Sequence, residues 1–212
     1  RPGVQLASES EEWERLSNAL KVVREHYPHI VVSIDTWRAS IAEQAIKDYA
    51  VDIVNDVSGG FDADMFHVVA KYQIPYVLMH SDALPATSHS TFGRDIVCEM
   101  IDYFQRKIDQ LQQMGVKDII VDPGFGFSKT LAQNYQILKE LSYLKVLNKP
   151  LLVGLSRKSM LSKVLEVDAH DCLTGTIVAN TLALQSGASI LRVHDVLPAV
   201  QAIKIFTSTN QS

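Results

Sequence analysis

Asp35, Asn55, His80, Asp122, Lys158 and Arg192 share one sequence context: each stands at or just beyond the end of a short apolar, β-branched run. The runs are His29–Asp35 (HIVVSID), Ala50–Asp56 (AVDIVND), Ile74–His80 (IPYVLMH), Asp118–Asp122 (DIIVD), Leu151–Lys158 (LLVGLSRK) and Ser189–Asp195 (SILRVHD). The first four end on carboxylates, an amide and an imidazole. The fifth ends on a hydroxyl and two cations, and the sixth on an arginine, a histidine and a carboxylate. A carboxylate can accept a pair of parallel N–H groups as it accepts an arginine fork. Clustered cations on a loop that opens a helix suit phosphate. Together these residue types fit a flat, N–H-rich ring at one end of a ligand and phosphate at the other.

Taken singly, the residues carry different weight. Asp35 suits an N-cap as well as a binding role. Asn55-Asp56 runs into Ser58-Gly59-Gly60, where a simple turn is equally compatible, and Met79-His80 alone says little. Asp122-Pro123-Gly124-Phe125-Gly126-Phe127 is more informative, because two glycines alternate with two aromatics behind an acid at the end of an apolar run. Glycine allows close backbone approach there, and Phe127 can wall a flat ligand. A buried carboxylate must be paired or it takes up a proton. Gly154-Leu155-Ser156-Arg157-Lys158-Ser159 places two cations and two hydroxyls before a short helical pattern. Arg192 and His194 alternate along the last run, so strand geometry puts them on one side.

Helical patterns separate the six runs. Ser8 with Glu11 forms a capping box, and Trp13, Leu16, Leu20 and Val23 follow at helical spacing. Ile41, Ala42, Ala45 and Ile46 mark a second helix, and Met65, Phe66 and Val69 a third. Val97, Ile101, Phe104, Ile108 and Leu111 line a longer one that Gly115 closes. Tyr135, Leu138 and Leu141 mark the next, followed by Ser159–Leu165, Leu173–Ser186 and a final helix after Asp195. Strict alternation implies parallel strands with right-handed crossovers. The expected fold class is α/β, a (β/α)8 barrel whose chemistry sits at the C-terminal ends of the strands. Six units do not close eight, so two N-terminal strands are expected ahead of Arg1-Pro2-Gly3; the alternative is an open doubly wound sheet. Residues 1–212 read as one domain, and the polar stretch Ser81–Phe92 reads as a loop.

Composition narrows the class. A net charge of −4 over 212 residues offers no basic stripe for nucleic acid. No apolar run approaches the roughly 18–20 residues of a membrane span. Cys98 and Cys172 form no metal or redox spacing, and a reducing, cytoplasmic setting is expected.

In chain order, S-I-D-T (Ser33–Thr36), N-D-V-S-G (Asn55–Gly59), M-H (Met79-His80), D-P-G-F-G-F (Asp122–Phe127), G-L-S-R-K-S (Gly154–Ser159) and R-V-H-D (Arg192–Asp195) resemble the dihydropteroate synthases. Arg1-Pro2-Gly3 is similar to the end of that family's second-strand motif. The resemblance spans nearly the whole chain and implies a homodimeric (β/α)8 barrel of folate biosynthesis and a target of sulfonamides. Such an enzyme joins 6-hydroxymethyl-7,8-dihydropterin pyrophosphate to p-aminobenzoate with Mg²⁺. By motif, Asp35, Asn55, Met79, Asp122, Gly154 and Lys158 would bind the pterin, with Asp35, Asp122 and Lys158 as the catalytic set. Arg192 and His194 would hold the pyrophosphate, and Arg1, Phe127 and Ser156 the p-aminobenzoate. The family's metal-ligating Asn would precede residue 1, leaving no metal ligand in this chain. After Met79-His80 the chain departs from the family, with Ser81-Asp82-Ala83-Leu84 in place of a Met and a Gly-containing turn.

Two rivals stay open. A pterin-dependent methyltransferase would share the Asp and Asn residues but has no use for S-R-K-S or for Arg192 with His194. A non-catalytic pterin-binding paralogue would keep the barrel without the metal site.

Overall fold

The computed structural model describes residues 7–81 and 95–209. Arg1 and all of the Ser81–Phe92 stretch except Ser81 lie outside them. The contacts cluster into two units: residues 1–88 with 106–120, and residues 89–105 with 121–212.

In the first unit, α1 (Glu9–His26) starts at the expected capping box, with the Ser8 side chain accepting from Glu11 N and Glu11 reaching back to Ser8 N. β1 (Ser33–Asp35), α2 (Ala39–Tyr49), β2 (Ile53–Asp56), α3 (Met65–Tyr72) and β3 (Tyr76–Met79) follow. The strands are parallel, in the order β1-β2-β3, and β4 (Ile119–Asp122) continues the sheet. The register pairs Ser33 with Ile53, Ile34 with Val54 and Asp35 with Asn55, then Val54 with Tyr76, Asn55 with Val77 and Asp56 with Leu78. Ile34, Val54, Val77 and Leu78 are buried from the strands, and Ile41, Ala42, Ala45, Met65 and Val69 from the helices. Each fully buried Ile, Val or Leu contributes about 1.5–3 kcal/mol of apolar transfer energy.

The first run is a strand only in its second half. His29–Val32 lies outside β1, and Ile30 and Val31 are exposed. Arg24 accounts for this geometry: its guanidinium donates to the carbonyls of Ile30 (2.7 Å), Tyr49 (2.8 Å) and Ala50 (2.7 Å) and to Asp52 Oδ2 (3.1 Å). One side chain thus satisfies backbone groups that a sheet would otherwise have to pair.

Helix α4 (Ile96–Gln113) and strand β4 each pass from one unit to the other. Met100, Phe104, Ile108 and Leu111 of α4 are buried, with Met100 taking the inward position expected of Ile101. Gly115 stops the helix at φ +85°, a left-handed value that glycine adopts without penalty, and Val116 N closes on Leu111 O.

The second unit continues with α5 (Leu131–Lys139), a 3-10 segment (Leu141–Leu147), β5 (Leu152–Val153), α6 (Ser159–Leu165), α7 (Leu173–Gln185), β6 (Ile190–Leu191) and α8 (Val196–Thr209). Val121 bridges Leu151 in parallel, and β5 pairs with β6 as Leu152↔Ile190 and Val153↔Leu191. These two strands are far shorter than their apolar runs. Gly154–Lys158 and Arg192–Asp195 are loop, which is what frees their side chains for other partners.

Candidate active site

In the first unit, the parallel register sets Asp35 beside Asn55 at the ends of β1 and β2. Asn55 Nδ2 donates to Asp35 Oδ1 at 2.8 Å, while Asn55 Oδ1 is buried with no hydrogen-bond partner among the described residues. Asp35 is exposed and is not the N-cap of α2: that helix opens at Arg38, and Ala39 N donates to Asp62 Oδ2 at 2.8 Å. Met79 ends β3 and His80 follows it, and both are buried.

Asp56 faces the opposite way from Asn55, as strand alternation requires. Its carboxylate is fully buried and accepts four bonds: from Ser58 N (2.8 Å), Ser58 Oγ (2.6 Å), Gly60 N (2.8 Å) and the Tyr76 hydroxyl (2.7 Å). Burial pushes its pKa up, and the hydrogen bonds oppose that rise. Ser58-Gly59-Gly60 is therefore a turn, as the bland reading allowed, but one built on Asp56.

In the second unit, Asp122 ends β4 in a buried position, with Gly124 N donating to its Oδ1 at 2.7 Å. Burial raises its pKa; the positive charge of Lys158 is the largest opposing influence, with Gly124 N, Lys129 and Arg192 helping. Lys158 shows the complementary effect. Burial of its amine lowers its pKa to about 8, against the pull of Asp122, and Arg192 lowers it further. The same amine donates to Phe125 O and lies 4.8 Å from the Phe127 ring centroid, a cation–π arrangement.

Gly126 makes room for that lysine, whereas Gly154 lies only at ordinary contact distance from it. A Cβ on Gly126 (φ +79°) would come within 3.3 Å of Lys158 Cδ, and one on Gly154 would sit 4.0 Å from Lys158 Nζ and 3.8 Å from Arg192 Cβ. The D-P-G-F-G-F loop is held from outside by Asn134, whose Oδ1 accepts from Gly126 N (2.7 Å), and by Lys129, which donates to Gly124 O and Phe127 O (both 3.0 Å). Asn134 stands in the first turn of α5, behind a second capping box of Thr130 and Gln133.

Arg192 and His194 lie beyond β6, so strand alternation does not set them as the run suggested. Arg192 N is tied to Val153 O at 2.9 Å. His194 is set by Ser156, whose hydroxyl accepts from His194 N (3.2 Å) and meets Nδ1 at 3.0 Å. Arg157 is not available to a ligand. Its guanidinium grips Asp195 through two bonds and donates to His170 O at 2.8 Å.

The structure thus brings Asp35 and Asn55 together in one unit, and Asp122, Phe127, Gly154, Ser156, Lys158, Arg192 and His194 in the other. Arg1 lies outside the described residues. The sequence reading missed Asp56, Tyr76, Asn134 and the Arg157–Asp195 pair. Only the T-x-x-Q box at Thr130–Gln133 gave a local signal for any of these. Chemically, a buried carboxylate beside a lysine of lowered pKa, with an arginine and a histidine close behind, can hold an N–H-rich ring and an anionic group while charge separates between them.

Comparison with known proteins agrees with this chemistry. The model of the family described as pterin binding enzyme matches residues 1–194. A dihydropteroate synthase from Synechocystis is 40% identical over 97% of this chain and 72% of its own length. The dihydropteroate synthase of Clostridium difficile, solved in the presence of pteroic acid, superposes with a TM-score of 0.93 at 35% identity, covering 100% of this chain and 79% of that one. The Yersinia pestis enzyme, solved in complex with a sulfonamide drug, gives a TM-score of 0.94 at 32% identity over 100% and 78%. At this similarity the fold class is the α/β barrel expected from the strand ends, and the chain belongs to the family of pterin binding enzymes.

Proposed function

We propose that this protein is a dihydropteroate synthase, which condenses 6-hydroxymethyl-7,8-dihydropterin pyrophosphate with p-aminobenzoate to give 7,8-dihydropteroate and pyrophosphate. The observation that carries this reading is the Asp122–Lys158 pair with Arg192 and His194 close behind. It occurs in a chain with a relative at 40% identity that bears that name. Asp122, Asn55 and Asp35 accept and donate along the edge of the pterin, Met79 and Gly154 shape its cleft, and Lys158 packs against the ring. Arg192 and His194 hold the pyrophosphate. Phe127, Ser156 and Arg1 receive p-aminobenzoate, which makes sulfonamides its competitors.

As the C–O bond to pyrophosphate breaks, positive charge grows on the pterin methylene and negative charge on the leaving oxygen. Preorganised carboxylates stabilise the first, and Arg192, His194 and Lys158 the second. The arylamine nitrogen then bonds to the methylene carbon and sheds its proton, so it must be positioned but needs no strong base. Mg²⁺ belongs to the proposal as a charge partner of the pyrophosphate. Among the described residues no group of three or more His, Cys, Asp or Glu could hold a metal ion, and no step above runs through the ion.

A cytoplasmic homodimer completes the proposal. Both cysteines are free, in keeping with a reducing compartment, and Val178 and Leu182 of α7 are exposed as a partner face would be. Among the described residues no helix is long and apolar enough to cross a membrane.

Calorimetric titration with the pterin pyrophosphate, with and without Mg²⁺, followed by addition of p-aminobenzoate and assay for dihydropteroate, tests the reading. Product formation is expected. Pterin binding without product would instead indicate a non-catalytic pterin-binding protein.

A further inference from the structure

The geometry points to Asp56 as a positioning residue for the pterin site, acting through Asn55 from the opposite face of β2; this inference rests on the function proposed above. Asn55 and Asp56 share a peptide bond at the strand end, and alternation sends their side chains to opposite faces. Asn55 reaches Asp35, and its buried Oδ1 has no partner among the described residues. Asp56 faces the helices: Tyr76, which donates to it, packs edge-on against Phe66 of α3 with ring centroids 5.8 Å apart. The Lys107 ammonium of α4 lies 5.5 Å from the Phe66 centroid. The carboxylate, itself fully buried, therefore joins β2, the Tyr76 side chain of β3 and the turn after β2 in one node.

That node fixes the backbone from which Asn55 projects. Each Asp56 oxygen takes two bonds, Oδ1 from Ser58 N and Oγ, and Oδ2 from Gly60 N and the Tyr76 hydroxyl. A hydroxyl can rotate to accept from a new donor, but the Ser58 and Gly60 N–H groups cannot. Asp56→Asn thus leaves one of the two amides facing an NH2 group, whichever way the side-chain amide turns. The turn loosens, and Asn55 loses its fixed reach toward Asp35 and the pterin edge. No Asp56 atom touches substrate. The carboxylate works by holding its neighbour, and only the substrate that Asn55 contacts should register its loss.

The test is steady-state kinetics of Asp56→Asn and Tyr76→Phe at a temperature well below the unfolding midpoint. Asn55→Ala serves as the direct-contact reference, and Val69→Ala, a buried change in α3, as the control for lost stability alone. Asp56→Asn is expected to raise KM for the pterin pyrophosphate about tenfold, with KM for p-aminobenzoate within twofold of wild type. Tyr76→Phe should move the same constant about threefold. If Asp56→Asn does not fold, Tyr76→Phe decides by itself. Equal changes in both KM values, or a pterin KM no higher than in Val69→Ala, overturns the inference while wild-type turnover keeps the functional reading intact. Absence of wild-type turnover and of pterin binding removes the functional reading, and this inference with it.

Discussion

Arg157 and Asp195 face each other fork to fork, with Nε to Oδ2 at 2.8 Å and Nη2 to Oδ1 at 2.9 Å. The pair ties the loop after β5, which carries Ser156 and Lys158, to the loop after β6, which carries Arg192 and His194. Each partner stabilises the charge of the other: Asp195 lowers its pKa chiefly by accepting from Arg157, and Arg157 rises in return. Lysine keeps the charge but loses the planar fork. Arg157→Lys should therefore lower kcat/KM about tenfold with little change in the circular dichroism spectrum. An unaltered kcat/KM would mean that the two loops hold their places without the pair.

Asp122→Asn should weaken pterin binding at least tenfold while p-aminobenzoate binding changes little, because only the pterin offers paired N–H donors to that oxygen pair. Calorimetry with each ligand separately reads this difference. Equal loss of both would remove Asp122 from the pterin edge.

Arg192→Ala should cost far more affinity for the pterin pyrophosphate than for the unphosphorylated hydroxymethyl pterin. The ratio of the two dissociation constants measures it, and a ratio unchanged from wild type would show that Arg192 is not a phosphate ligand.

Lys158 makes stability depend on pH in a defined direction. Below about pH 8 its ammonium is charged in both the folded and unfolded states, and the folded protein bears the cost of burying it. Between about 8 and the ordinary lysine value of 10.5 the folded protein holds the amine neutral while the unfolded chain binds a proton. The unfolded state then carries more protons, so wild-type stability gains with rising pH, by at most about 1.4 kcal/mol per unit from this group. Denaturant unfolding of wild type against Lys158→Met across pH 7–11 should show the wild-type value climbing relative to the variant. A flat difference would contradict the lowered pKa. Lys158→Met should also turn over at least a hundredfold more slowly.

Gly60 is constrained on two counts. Its φ is +78°, and an added Cβ would fall 2.5 Å from Phe66 Cε1, the ring that packs on Tyr76. Gly60→Ala should destabilise the protein by about 1–3 kcal/mol, visible as a lowered thermal midpoint. A midpoint within a degree of wild type would show that Phe66 yields freely.

What the sequence made legible follows from what is local. The polar ends of the six runs are set by strand chemistry, and they locate Asp35, Asn55, Asp122, Lys158 and Arg192 before any coordinates. Helix α6 falls on its expected bounds because a short apolar period follows a loop rich in hydroxyls and cations. The over-long reading of the last two runs has a plain cause: apolar content does not by itself specify ladder hydrogen bonds, and β5 and β6 pair over two residues each. Arg157 was legible as a cation but not as a committed one, since its carboxylate partner is 38 residues away. A separation of 20 residues likewise hid Asp56 from Tyr76, and only the T-x-x-Q box at Thr130–Gln133 hinted at Asn134.

The lowered pKa of Lys158 has one more consequence. Near pH 8 part of the population carries this amine without its proton, and an incoming pyrophosphate-bearing ligand brings negative charge that favours the ammonium. Substrate capture is then also a proton-uptake event. The heat released on binding must shift with the ionisation enthalpy of the buffer, and the affinity for substrate must fall as the solution becomes more alkaline. A side chain proposed as the packing surface for the ring would thereby double as a meter of how much charge the enzyme has taken on.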